Sequence, residues 1–318
     1  MPTSPPPPSP AVLTVVVVHR DQPVRCATTV AVLQASSLPA HVDLRVVVVD
    51  NGSTAPSLAL LHAGLETASA PVEVAELGMN AGFGPGANAG LRRALAGGAD
   101  VVGVAPHDAL AAPDCLTLLL EALDERPGAG LVSADVGDGL CPVVDPYFGA
   151  IGRARDREVG WEDCGHPHGT LFLARAACLE DVGLFDERYF AYGEEADLGV
   201  RASRAGWGVG IVHGARVTNP ELGGTDAAVD YLMSRNTLLL VREHFGRYRA
   251  GVRTVWAVGQ LAAGIARPSR RPWIFSARGR AWALVDHARG RHGPPPAHLF
   301  QPPRPLRPRA GRGVGARG

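Results

Sequence analysis

The sequence predicts an α/β protein, a mostly parallel sheet flanked by helices and followed by a C-terminal helical extension. Residues 13–18 and 44–49 are short, β-branched, almost wholly apolar runs, the pattern of strands buried on both faces. Helical stretches alternate with such runs through the first half of the chain, the layout of consecutive βαβ units. An acidic and aromatic stretch, residues 186–201, lies in the less regular second half.

In order, residues 23–35 read as a helix, 58–65 as the next, 72–77 as a strand and 87–96 as a helix. Residues 101–104 form another short buried strand, 115–123 a helix and 130–134 a strand. The arrangement is Rossmann-like, and open sheets of that kind place ligands at the carboxyl ends of their strands. That rule puts Asp50, Asn80 and Asp108 on one rim, because each follows a strand. From about residue 143 the pattern loosens through a Gly- and Arg-rich stretch, 149–157. Residues 171–174 read as a strand and 175–182 as a short helix. Residues 194–205 read as a helix whose apolar Leu198 and Ala202 lie four apart. An amphipathic helix follows over 228–245 and one more over 276–289, with disorder expected from His292 onward.

Composition narrows the function. The 318 residues carry no formal net charge, which gives no basis for a nucleic-acid partner. Five cysteines stand without metal-like spacing, consistent with reduced thiols in a cytoplasmic protein. Residues 1–10 lack the basic and apolar regions of a signal peptide and read as a disordered, proline-rich leader. No apolar run reaches the roughly 20 residues that span a bilayer. The nearest, 254–266, reads as a buried or interfacial helix; the other reading is peripheral docking at the inner face of a membrane, with Arg267, Arg270 and Arg271 beside it.

Four segments carry the chemistry. Asp50-Asn51-Gly52-Ser53 closes a buried strand, where a short acid can accept from a nucleotide base or ribose. Residues 80–90, from Asn80 through Gly82, Phe83, Gly84 and Asn88, form a glycine-rich turn opening a helix, a place for a diphosphate at a helix N-terminus. Residues 104–114 hold Asp108 after a strand. Gly193-Glu194-Glu195-Ala196-Asp197-Leu198 follows Tyr189 and Tyr192, and a plain solvated helix does not set aromatics beside so many carboxylates.

Taken in order, these segments resemble the family 2 glycosyltransferases of GT-A fold, in particular the bacterial rhamnosyltransferase-like branch, from about residue 13 to about 246 and faintly to 293. The resemblance implies one GT-A domain over 11–250, with a nucleotide-binding half (11–135) and an acceptor and catalytic half (136–250). A helical tail follows over 251–291, then an Arg-, Pro- and Gly-rich tail over 292–318. It implies inverting transfer of a sugar from a nucleoside-diphosphate donor, dTDP-rhamnose or a UDP-hexose being favoured, to an acceptor hydroxyl of unknown identity. By this resemblance Asp50 and its turn, with His19 in the preceding loop, hold the nucleotide, as do Asn80, Gly82, Phe83, Gly84 and Asn88. Asp108 holds a divalent cation, Mg²⁺ or Mn²⁺, with one carboxylate where relatives often have two, because Pro106 and His107 depart from the usual motif. Glu195 stands at the general base, with Glu194 beside it, and Asp197 pairs with Arg201 four residues on. His168 and Gly169 line the acceptor pocket with Tyr189 and Tyr192. A further metal ligand is Asn219 or, with the register shifted, His213. Arg235, in a Tyr-x-x-Arg-Asn helix, reaches the diphosphate or braces the acidic helix. The departures at His107, Glu195 and Asn219 leave a second reading, a degenerate glycosyltransferase-like protein that binds a sugar nucleotide or a partner without turnover. A dinucleotide-dependent oxidoreductase is excluded, since no G-x-G-x-x-G follows the first strand.

Overall fold

A computed structural model describes residues 11–219 and 226–299. The leader and residues 300–318 of the tail lie outside the described residues. Strands β1 (Ala11–His19), β2 (Val42–Asp50), β3 (Val72–Glu76) and β4 (Val101–Pro106) alternate with α1 (Pro23–Gln34), α2 (Ala55–Leu65) and α3 (Phe83–Ala96). After β4 come β5 (Leu110–Ala111), α4 (Cys115–Asp124), β6 (Ala129–Asp135), β7 (Leu140–Asp145), β8 (Gly149–Ala154), β9 (Gly160–Asp163) and β10 (Phe172–Arg175). The chain continues through α5 (Ala176–Val182), α6 (Glu194–Arg204), β11 (Gly208–Thr218), α7 (Asp226–Ala266) and α8 (Ala277–Ala288).

The main sheet runs β3-β2-β1-β4-β10-β6-β11-β5. Strands β1 to β4 are parallel, as the apolar runs predict, and β1 sits between β2 and β4. The order therefore reverses at β1, which makes its carboxyl end the switch point where a crevice opens. There His19 pairs in register with Asp50, and Val18 with Pro106. The uniform valines of β1 are explained by two cores. Val15 and Val17 pack under α1, α2 and α4, while Val16 and Val18 pack under α3, α5 and α6. Helix α3 lies so close that a Cβ on Gly90 would stand 2.3 Å from a Val16 methyl.

Beyond the sequence reading, the structure supplies two pairings, and it corrects the expected disorder after His292 and the expected burial of 254–266. Strand β6 joins the sheet one place away from β4, because β10 inserts antiparallel between them. The stretch around 149–157 is half of the β7–β8 hairpin, whose exposed residues hide any alternation. Residues 292–299 are ordered against the fold: Leu299 is buried with Phe190, Tyr231 and Ala283, and the Gly293 carbonyl accepts from Arg235 at 2.6 Å. The helix over 228–245 ends as expected at Gly246, whose backbone is non-helical (φ 86°), and a second helix follows within α7 to Ala266; residues 254–266 of it are mostly exposed, not buried: Val255 is 74% and Trp256 53% accessible.

Candidate active site

The loops after β1 and β2 are laced to each other. The Gln22 N–H donates to His19 Nε2 (3.1 Å), so that nitrogen is unprotonated and Nδ1–H donates to Asp50 Oδ1 (3.1 Å). Burial holds the His19 imidazole below the usual histidine range, in keeping with a neutral ring. The other Asp50 oxygen accepts from the Ser53 N–H at 3.1 Å. Asp21, in the left-handed region (φ 50°), accepts from the Thr54 amide and hydroxyl. Asp50 and His19 are thus buried in a knot that fixes this rim, and Ser53 and Asp21 lie nearer solvent.

The glycine-rich turn is held the same way. Asn51 donates to the Gly82 carbonyl (3.0 Å) and Asn80 Oδ1 (3.3 Å) and accepts from the Ala81 N–H (2.9 Å). Gly82 has φ 103°, and a Cβ there would fall 2.4 Å from the Phe190 carbonyl oxygen. The Gly84 N–H donates to that carbonyl at 3.2 Å. The close backbone approach these two glycines permit is therefore to the chain's own 185–194 segment, which modifies the expectation of a loop kept small for a diphosphate. Phe83 packs against the core on the α3 side of the sheet. Asn88 is buried and clamps residues 185–187, donating to the Phe185 carbonyl and Glu187 and accepting from the Phe185 N–H. Its side chain is engaged by the protein itself.

Segment 189–193 is strained and braced. Phe190 and Tyr192 both have φ 68°, and Gly193, the N-cap of α6, has φ 99°. Asn236 on α7 donates to the carbonyls of Tyr189 (2.9 Å), Ala191 (2.8 Å) and Tyr192 (2.6 Å). Arg235, fully buried, donates to Asn236, the Tyr231 hydroxyl and the carbonyls of Tyr189 and Gly293. Of the two roles open to Arg235, the geometry gives bracing. Tyr189 is wholly buried against Ala196, Leu239 and Leu240, so it is core and not pocket lining. The reversals at 190 and 192 turn it inward.

Tyr192 is half-buried and packs beside the Phe190, Tyr231 and Ala283 cluster. Burial raises its hydroxyl to about 12, and the charges of Glu194, Glu195 and Asp108 push in the same direction. Those three carboxylates thus act on one phenol, though 87 residues separate Asp108 from Glu195 in the chain. Both glutamates sit in the first turn of α6, where the helix dipole favours an anion. They differ in access. Glu194 is 3% exposed, lies against Gly84, and its Oε2 has no hydrogen-bond partner. Burial, then the neighbouring Glu195, lifts it well above the carboxylate range. Glu195 is half-buried, accepts from the Gly193 N–H at 3.1 Å, and its Oε1 lies against Gly169, where a Cβ would stand 3.1 Å away. Burial raises it too, opposed by backbone amides and by His168. The Thr170 N–H donates to His168 Nδ1 at 3.3 Å, leaving Nε2 as that ring's donor. The two adjacent acids thus sit in unequal surroundings, Glu194 the more deeply buried and the more strongly raised, Glu195 raised against the pull of backbone amides and His168.

The expected pair forms, with Arg201 donating to Asp197 at 2.8 Å. His244 adds a partner not foreseen. Its Nδ1 accepts from Arg204 and its Nε2–H donates to Asp197 (2.7 Å), joining α6 to α7. No sequence signal marks His244, which lies 47 residues away. Asn236 was visible in its motif but carries no sequence mark of triple bracing. His213 is buried in a separate cluster, bonded to Glu162 (2.7 Å) with Asp135 3.9 Å away, so its neighbours are carboxylates of β9 and β6. Asn219 is exposed beyond the end of β11. His107 stacks edge-on to His19 (centroids 6.0 Å apart) and links the Asp50 rim to Asp108, which is 8% exposed.

A buried acid rim at the switch point of a mostly parallel sheet, followed in the chain by a helix with an acidic first turn, is the architecture of GT-A glycosyltransferases. Residues 8–237 match the family described as "Glycosyltransferase like family 2", and the chain belongs to that family. It is 28% identical over 302 residues to N-acetylglucosaminyl-diphospho-decaprenol L-rhamnosyltransferase of Mycobacterium tuberculosis, covering 82% of this chain and 93% of the relative. Among solved structures, it resembles a mannosyltransferase of Pyrobaculum calidifontis in complex with GDP-Man and Mn²⁺ (TM-score 0.56, 18% identity, 87% of this chain and 85% of the other). It also resembles GalNAc-T7 with UDP, GalNAc and Mn²⁺ (TM-score 0.59, 14% identity, 88% and 55%).

Proposed function

We propose that the protein transfers a sugar, with inversion, from a nucleoside diphosphate to a hydroxyl of a lipid-diphosphate-linked saccharide, with a rhamnosyl donor favoured over a UDP-hexose. The observation that carries this reading is that Asp108, after β4, and Glu195, in the first turn of α6 and against Gly169, both act electrostatically on Tyr192. The mycobacterial relative, named as a rhamnosyltransferase acting on an N-acetylglucosaminyl-diphospho-decaprenol, supports the donor and acceptor class.

In the reaction the acceptor oxygen attacks the anomeric carbon as the bond from that carbon to the diphosphate oxygen breaks. Glu195, whose Oε1 lies against Gly169, takes the hydroxyl proton. Single displacement inverts the centre without an enzyme nucleophile. Among the described residues no three His, Cys, Asp or Glu side chains stand where they can hold a metal by themselves. A divalent cation, of the kind present in the Mn²⁺ complexes of the two solved relatives, would be held by Asp108 and by phosphate oxygens of the donor, a ligand type that suits Mg²⁺ and Mn²⁺. When bound it neutralises charge on the leaving nucleoside diphosphate.

The test is nucleoside-diphosphate release from dTDP-, UDP- and GDP-sugars with Mg²⁺, Mn²⁺ or EDTA, with a polyprenyl-diphosphate N-acetylglucosamine acceptor. Glu195→Gln is expected to lose at least about a hundredfold in transfer while donor affinity holds. Full activity in that variant removes Glu195 as the base. Nucleotide binding without turnover on any donor favours the degenerate binder.

A further inference from the structure

Beyond the kink at Gly246, α7 makes a second, exposed helix of about 30 Å at roughly 1.5 Å per residue. Tyr248, Val252, Val255, Trp256 and Ile265 on it are 42–78% accessible, and Trp273 just after it is 81% accessible. Tyr248, Val252, Val255, Trp256, Gly259 and Ala263 line one open groove at helical spacing, so the apolar residues form a stripe. The stripe extends onto the β7–β8 hairpin, where exposed Phe148 meets Trp256 edge-on at 5.8 Å. Soluble proteins rarely leave so large an apolar patch uncovered.

The charge around the stripe is one-sided. Residues 247–280 contain eight arginines and no Asp or Glu, in a chain whose net charge is zero. Arg280 pairs with Asp230 of the neighbouring helical segment, and Arg271 donates to the Gly264 carbonyl. Arg247, Arg267 and Arg270 are exposed, and among the described residues no carboxylate pairs with them. A second copy of this chain seated on the stripe would set these like charges against each other. An anionic surface complements them.

We propose that this face docks on an anionic phospholipid bilayer. The helix lies in the interface plane, with Val255, Trp256 and Trp273 entering the headgroup boundary and the arginines meeting lipid phosphates. No helix among the described residues is long and apolar enough to cross a membrane, so the contact is peripheral. The helix before the Gly246 break carries Arg235 and Asn236, which hold the loop before Glu195, so the docked helix follows the brace of the candidate base directly in the chain. This inference does not depend on the transferase reading.

The test is sedimentation of the full chain with vesicles of phosphatidylcholine alone or with a quarter phosphatidylglycerol. Donor hydrolysis and thermal melting are followed in the same preparations, so a failed transferase reading stays distinct from failed docking. The expected result is binding to the anionic vesicles only, weakened by salt. V255E/W256E should weaken it about tenfold or more. R247E/R267E/R270E should weaken it about a hundredfold, from about fivefold per arginine. Both variants should melt like the wild type, since the altered residues are exposed. Absence of wild-type binding at low salt, or unchanged binding in both variants, overturns the proposal. So does a wild-type dimer in sedimentation velocity that V255E/W256E converts to monomer, which assigns the stripe to a second copy.

Discussion

Asn236→Ala tests whether the strained loop before Glu195 is imposed by α7. The amide group of Asn236 has two hydrogens and three carbonyl acceptors at 2.6–2.9 Å, so it supplies two full bonds, one of them shared. Its oxygen accepts a further bond from Arg235 at 3.0 Å. At about 1 kcal/mol net for each buried bond, the substitution removes about 3 kcal/mol. The left-handed backbone at Phe190 and Tyr192 stores about 1–2 kcal/mol per residue. The two sums are similar, so the loop loses the force that keeps it in its strained form. It then relaxes into conformers in which Tyr192 and Glu195 are no longer held in place. A shift of about 3 kcal/mol in that equilibrium lowers turnover by roughly a hundredfold. Because Asn236 makes no contact with the Asp50 rim, the donor KM should stay within about threefold of the wild type. Steady-state transfer kinetics and thermal melting read the two effects separately. A variant that melts several degrees lower but keeps kcat would refute the reasoning, because the brace would then serve stability alone.

Three further outcomes are expected. Burial raises the Glu194 carboxyl in the folded chain, so its contribution to stability is present below the unfolded-state value of about 4.3 and is lost as pH rises toward the folded one. Glu194→Gln has no such proton to lose, so its Tm should gain on the wild type as pH rises from about 4 to about 8; a pH-independent difference would contradict the assignment. Gly82→Ala must place a Cβ 2.4 Å from the Phe190 oxygen at φ 103°, which lowers the unfolding free energy by about 2–4 kcal/mol. A loss below about 0.5 kcal/mol in urea melts would show that the turn has another fit. Asp108→Asn should weaken nucleoside-diphosphate binding about tenfold with Mn²⁺ and little in EDTA; an unchanged Mn²⁺ titration would remove Asp108 from the cation site.

The sequence by itself determined what local period and spacing encode. The valine runs of β1 and β2 announce strands buried on both faces, since they are too short for a buried helix and made of β-branched residues. Asp197 and Arg201 lie four apart on a helix and meet as helix geometry requires. The acidic and aromatic composition marked the segment 186–201, and the family resemblance pointed within it to Glu195. Only the tertiary structure decided which of these groups face one another. Strand β10 reaches its place between β4 and β6 through pairings across 40 to 70 residues, which no local pattern carries. Tyr189 and Tyr192 read alike in sequence, yet across two left-handed residues one is wholly buried against Ala196 and Leu239 and the other stays half-buried beside Phe190 and Tyr231. Arg235, Asn236 and His244 act on partners about 45 residues away, through hydrogen bonds that exist only once α7 packs on α6. The apolar stretch 254–266 gave its composition in sequence, but its exposure depended on the kink at Gly246, which carries the helix away from the core.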